Sequence, residues 1–302
     1  MIREYNLQTG MKHMNILQAA LLGLVQGVTE FFPISSSGHL ALIGNLLGAE
    51  GTTNLLFVVM LHMGTLLSIL TVFYKDILRI LFEFAGMIRD LFFNLKLHFS
   101  NPMREGHIPY RKILGGSYRK FTALLLVSLI PTVLVACLVS PIVEMLTGNL
   151  LASGLGLFIT ALLLFVSSFI MVSDRGPKEA KFLDAFVIGA FQGFGAFPGN
   201  SRLAMTLSSG FLSGFTRKFT IKYAFLLAVP TIIGAMLFEG SRSHAMDVAV
   251  GVLPCLTGMA VSAVVGFFMI RLALKVLSRK RNRFFALYCL IIGIISIVGY
   301  LR

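Results

Sequence analysis

The chain has 302 residues, 56% of them hydrophobic and 13% charged, with a formal net charge of +13. A soluble domain carries about a quarter charged residues, so the composition excludes an ordinary soluble globule and points to an all-α protein that crosses a bilayer several times. The positive excess fits the positive-inside bias and anionic headgroups rather than nucleic acid, because no RNA- or DNA-binding motif accompanies it.

In chain order, the first apolar stretch, 15–48, is interrupted by TEFFPISSSGH. A Pro and a serine cluster at mid-depth would leave backbone groups unsatisfied in lipid, so the stretch predicts two half-helices that enter the membrane and turn back. A full span follows at 55–73. The segment 74–120 holds nine Lys and Arg, Arg104 among them, and is expected on the cytoplasmic side; within it, 76–97 mixes Phe and Leu with scattered charge and predicts an amphipathic interfacial helix. Further spans are expected at 121–139, 150–172, 220–238, 248–270 and 284–301, each near the length that crosses the hydrocarbon core. The link 140–149 lacks Lys and Arg and is expected outside, whereas 271–283, rich in Lys and Arg and including Lys280, is expected in the cytoplasm. Between the third and fourth spans, 182–214 is broken by FPGNSR and predicts a second re-entrant hairpin.

The two broken stretches resemble each other: Gly23 opens GLVQGVTEFFPISSSGHLAL and Gly189 opens GAFQGFGAFPGNSRLAMTL, with Gln26 matching Gln192 and Pro33 matching Pro198. The chain therefore reads as one integral membrane domain, 1–302, holding an inverted repeat: one copy over about 15–140, the other over about 182–301. Broken helices in corresponding places of opposed repeats point to a site at their interface. The three cysteines, Cys137, Cys255 and Cys289, lie in apolar runs without ligand spacing.

Isolated charges mark that site. Glu30 is the only full charge between His13 and Glu50, and Arg202 the only one between Asp184 and Arg217. An ionisable residue alone in an apolar segment is a functional-site candidate, and an acid in one hairpin facing a base in the other implies that they meet. Gln26 and Glu30 share a helix face. Ser35, Ser36 and Ser37 offer caps for a half-helix starting near Ser35, which sets Ser36 and His39 three apart on one face. Asn200 or Ser201 caps the matching half-helix of the second hairpin, where Arg202 and Thr206 share a face. Two helix N-termini, an Arg and a His suit an anion with several oxygens, phosphate or diphosphate. His62, in LHMGT, either lines the same cavity or serves structure.

At QGVTEFFPISSSGH and PGNSR the chain resembles the undecaprenyl-diphosphate phosphatases, the bacitracin-resistance membrane family. Gln26, Glu30, Pro33, Ser35, Ser36, Ser37, Gly38 and His39 match the family's first motif; Pro198, Gly199, Ser201, Arg202 and Thr206 match its second. The second motif normally continues Arg-Ser-Gly, but Leu203 and Ala204 stand here. The resemblance implies six spans plus two re-entrant hairpins in the bacterial inner membrane, and hydrolysis of undecaprenyl diphosphate to the monophosphate for cell-wall synthesis. It implies Arg202 as phosphate clamp, Ser36 either as nucleophile or, where water attacks phosphorus directly, as a phosphate ligand only, and His39 as its partner or as acid to the leaving group. Glu30 would position a water, a divalent cation (Mg or Ca) or His39; Gln26, Ser35, Ser37, Ser201 and Thr206 would bind substrate. The partners implied are a polyprenyl diphosphate and membrane lipids. Two other functions share this pattern: a lipid-phosphate transporter or flippase, and a lipid-diphosphate binder that does not hydrolyse. No GxxxxGK[ST] loop is present for ATP-driven transport.

Overall fold

The computed structural model describes residues 14–49, 55–100, 108–170, 174–242, 251–279 and 281–302. The described residues form helices, with a lone bridge between Arg175 and Phe215. In order these are α1 (Ile16–Thr29), α2 (Ser36–Leu46), α3 (Leu55–Val72), α4 (Tyr74–Ser100), α5 (Ser117–Leu146), α6 (Leu150–Ser167), α7 (Phe182–Phe194), α8 (Arg202–Leu212), α9 (Arg217–Arg242), α10 (Val252–Leu277) and α11 (Asn282–Leu301). Six of them, α3, α5, α6, α9, α10 and α11, are long and apolar enough to cross a membrane. The protein is an all-α, multi-pass membrane protein.

Two boundaries differ from the sequence expectation. The expected loop 271–283 is largely helix, because α10 continues to Leu277 and carries Arg271 and Lys275. Long basic side chains keep their heads in water while their stems stay on apolar surface, and the Arg271 guanidinium lies 4.1 Å from the Phe267 ring centroid. Likewise α5 runs through Pro131 and Pro141, which neighbouring helices tolerate in a membrane. Arg104, Lys280, and positions 171–172 and 248–250 of the expected spans lie outside the described residues.

Lipid is as apolar as leucine, so spanning helices associate through close packing and interhelical hydrogen bonds. The seams show both. A Cβ on Gly64 of α3 would sit 2.0 Å from Ser262 Oγ of α10, and one on Gly189 of α7 would sit 2.0 Å from Ser128 O of α5. Serine hydroxyls cross these two seams and that of α6 with α11: Ser68 Oγ donates to Ala263 O at 2.7 Å, Ser128 Oγ to Ala185 O at 2.5 Å and Ser296 Oγ to Leu150 O at 2.8 Å. Each such bond contributes about 0.6 kcal/mol in a membrane.

The Gly-x-x-Gln-Gly spacing shared by α1 and α7 has a packing cause. Gly23 and Gly27 abut Gly258, Ser262 and Val265 of α10, while Gly189 and Gly193 abut Ser128, Thr132 and Val135 of α5. Each short helix thus lies on a long helix from the other half of the chain.

The expected amphipathic helix is α4. Its acids fall every seventh residue and turn toward basic partners: Asp76 to Lys222 at 2.6 Å, Glu83 to Arg119 at 3.3 Å, and Asp90 to Arg119 at 2.7 Å and Arg111 at 3.2 Å. Leu81, Phe82, Phe92 and Phe99 are exposed.

Candidate active site

The two broken stretches meet at their tips. α1 stops at Thr29, and the chain turns through Glu30–Ile34 before α2 begins at Ser36. Ser35 caps α2, its Oγ accepting from Gly38 N at 3.1 Å. Its φ of 67° is the only positive value outside glycine among the described residues, a conformation that costs about 1–3 kcal/mol and persists only where surrounding contacts hold it. In the second hairpin Ser201 caps α8, its Oγ accepting from Ala204 N at 3.1 Å. Gly199 takes φ 78°, and a Cβ there would lie 1.9 Å from Ser153 O of α6. The tips bond directly, with Gly199 N donating to Ser37 Oγ at 3.2 Å, and Ser37 Oγ lies 3.2 Å from Ser35 Oγ.

Glu30 is the hub. Its Oε2 accepts from Ser36 Oγ at 2.5 Å and from Gln26 Nε2 at 3.1 Å, and its Oε1 accepts from Arg202 Nη2 at 3.4 Å. His62 Nε2 on α3 is 3.9 Å from Oε2. Acid and base therefore meet across the two broken stretches, flanked by a second basic side chain that the family motifs did not pick out; its place as the only ionisable residue in the 55–73 span was the available signal. The long Arg202–Glu30 contact leaves most guanidinium donors free, and the side chain is 27% exposed toward the cavity. Behind it, Thr206 Oγ1 is shared between Arg202 O at 2.9 Å and Gln192 Oε1 at 3.3 Å, and Gln192 Nε2 donates to Thr231 Oγ1 at 2.9 Å.

His39 sits elsewhere. Its Nδ1 bonds Ser35 O at 2.7 Å, its Nε2 lies 2.8 Å from the Tyr288 hydroxyl on α11, and it does not line the cavity. Ser36 and His39 share the first turn of α2, but their side chains serve different partners.

A cavity of about 1020 Å³ opens over the cluster. Glu30, Ser36, Ser37, His62, Ser201 and Arg202 give it a polar floor, while Leu129, Val133 and Ala136 of α5 and Phe225, Ala228 and Ile232 of α9 give it apolar walls. A diphosphate on an apolar tail has this same division. Among the described residues three buried side-chain polar atoms lack a protein partner: Gln26 Oε1, Ser153 Oγ and Asn200 Oδ1. Among the described residues no three His, Cys, Asp or Glu side chains cluster as metal ligands. The Glu30 carboxylate on the cavity floor is the group a hard cation would meet there, with its other ligands drawn from substrate oxygens and water.

A profile of the family described as bacitracin resistance protein BacA matches residues 19–295. The chain belongs to the BacA family. Relatives named undecaprenyl-diphosphatase match the chain almost end to end. The one from Methanosphaera stadtmanae is 37% identical over 286 residues, covering 94% of this chain and 98% of its own length. Those from Alkaliphilus metalliredigens and Korarchaeum cryptofilum are 32% and 31% identical, covering 94% and 93% of this chain and 98% of their own lengths. The tips of both hairpins, Glu30 and Arg202 included, fall inside the matched span.

Proposed function

We propose that this chain hydrolyses undecaprenyl diphosphate to undecaprenyl phosphate and phosphate in the bacterial inner membrane, with Ser36, Glu30 and Arg202 performing the chemistry. The observation that carries the reading is the 2.5 Å hydrogen bond from Ser36 Oγ to the Glu30 carboxylate, beside a guanidinium with free donors, on the floor of an apolar-walled cavity. A nucleophile touching its base, with a cationic hydrogen-bond donor within reach, is the arrangement phosphoryl transfer needs.

The terminal phosphate rests against Arg202 and the N-terminus of α8, with His62 and the Ser201 turn close by. Ser36 Oγ attacks phosphorus as its proton passes to Glu30. The bond from phosphorus to the bridging oxygen breaks, and the departing polyprenyl phosphate takes that proton. Water then attacks the phosphoserine; Glu30 accepts a proton from it and returns one to Ser36 Oγ as the P–O bond opens. Arg202 offsets the charge that spreads over the phosphoryl oxygens. Ser37 serves by bonding the hairpin tips, and Gln26 by orienting Glu30. A divalent cation, held by Glu30, would supply charge neutralisation on the diphosphate. The polyprenyl chain takes the apolar side of the cavity between α5 and α9.

Phosphate release from undecaprenyl diphosphate by the purified protein in detergent, with and without a chelator, tests the reading. Release at a catalytic rate is expected. Tight lipid binding without release, or movement of lipid phosphate across vesicles without release, would replace the phosphatase with a binder or a transporter.

A further inference from the structure

His39 has both ring nitrogens committed away from the reacting centre. Ser35 O can only accept, so Nδ1 carries the proton in that 2.7 Å bond. In the neutral ring Nε2 is then an acceptor, and the Tyr288 hydroxyl donates to it at 2.8 Å. The two rings stack, with centroids 5.6 Å apart and planes 3° from parallel. The next residue on α11 grips the same turn, because Cys289 Sγ donates to Pro33 O at 3.6 Å. α11 therefore holds the α1–α2 break at two points, Pro33 and, through His39, Ser35.

What is held there is the least relaxed backbone in the site. Ser35 takes a φ of 67° without being glycine, and the residue after it carries the hydroxyl that meets Glu30 at 2.5 Å. If the Ser35 carbonyl turns, the start of α2 turns with it, and Ser36 Oγ leaves the carboxylate. A displacement of about 1 Å at a reacting atom costs about a hundredfold in rate.

We infer that Tyr288 is a positioning residue of the phosphatase: through His39 it fixes the Ser35 carbonyl and thereby aims Ser36 at Glu30. The inference rests on Ser36 being the nucleophile. It assigns a role in the site to the last helix of the chain, whose residues contribute nothing to the cavity floor.

The test is a double-mutant cycle on the full chain in detergent, read as kcat and KM for phosphate release together with the thermal unfolding midpoint. Tyr288→Phe keeps the stacked ring and removes only the hydroxyl. It is expected to lower kcat about tenfold, with KM within twofold and an unfolding midpoint within a few degrees of the parent. His39→Gln is expected to lower kcat at least as much, and adding Tyr288→Phe to it is expected to change nothing further, since the hydroxyl then has no imidazole to hold. Tyr300→Phe on the same helix should match the parent. A Tyr288→Phe enzyme with parental kcat, or one whose loss is undiminished in the His39→Gln background, overturns the inference. Ser36→Ala separates it from the reading beneath it: an active Ser36→Ala enzyme removes the nucleophile, whereas an inactive one beside an unaffected Tyr288→Phe enzyme removes Tyr288 alone.

Discussion

Ser36 Oγ, in the first turn of α2, and Glu30 Oε2, just past the end of α1, lie 2.5 Å apart across the break between the two helices, six residues distant in sequence. The hydroxyl is the donor, so the carboxylate is placed to take its proton. Glu30→Gln keeps the shape and removes that acceptor. The expected loss in kcat is about 10²–10⁴-fold, the usual contribution of a positioned base, with the unfolding midpoint close to the parent's. Phosphate release at the parental rate would show that the carboxylate is not the proton acceptor.

Leu203 stands where the family motif has Ser. It lines the cavity and packs against the buried core. Leu203→Ser should leave phosphate release equal or raised. A new hydrogen bond to a charged phosphate is worth about 1.5–3 kcal/mol, or about ten- to a hundredfold. A severe loss would mean that Leu203 packs against the polyprenyl chain and that the site has been rebuilt around it.

From the Lys and Arg distribution, Gly148 is expected outside and Arg279 in the cytoplasm. Cysteines introduced at these positions in a Cys137→Ala background report the orientation, since the remaining Cys255 and Cys289 are buried. An impermeant thiol reagent added to intact cells should label the Gly148 position and spare the Arg279 position. Labelling at 279 would reverse the topology and undo the inverted-repeat argument.

The docking of α4 should be lost only in acid. The Arg119 guanidinium, by hydrogen-bonding Asp90, holds its carboxyl below the usual carboxylate range. A lowered value in the folded state contributes stability above the unfolded value of about 3.9 and loses it as pH falls through the folded one. The chain has no Trp, and the Arg111 guanidinium lies 3.9 Å from the Phe93 ring centroid, so Phe93→Trp is a single reporter of docking. Its emission should be constant from about pH 8 to 5 and shift below about 4. A shift centred between about pH 5 and 7 would exclude Asp90 as the group responsible.

Most of this architecture was legible because membrane burial makes polar residues conspicuous. Glu30 and Arg202 stood alone in apolar stretches, and Pro33 and Pro198 marked the breaks, so the meeting of the two hairpins followed from the cost of leaving either charge unmet in lipid. The end of α10 was obscured, because Arg271 and Lys275 read as loop yet their stems allow the helix to continue. His39 was misplaced for a different reason. Helical spacing set it beside Ser36, but its partner Tyr288 is 249 residues away, and no local pattern encodes which side of α2 faces α11. His62 was visible as a polar residue in a span, but its approach to Glu30 depends on how α3 is rotated against α1.

The central claim is that Arg202 clamps the phosphoryl group rather than merely balancing Glu30. Arg202→Lys distinguishes the two, because lysine keeps the charge but loses the planar fork. A structural ion pair would survive the change, whereas a clamp would not. The measurement is phosphate release from undecaprenyl diphosphate by the purified Arg202→Lys protein. A loss of at least about a hundredfold is expected, the order found when a transition-state donor is removed, with membrane insertion and purification like the parent's. Release within a few-fold of the parent would contradict the clamp and the assignment of the site built on it.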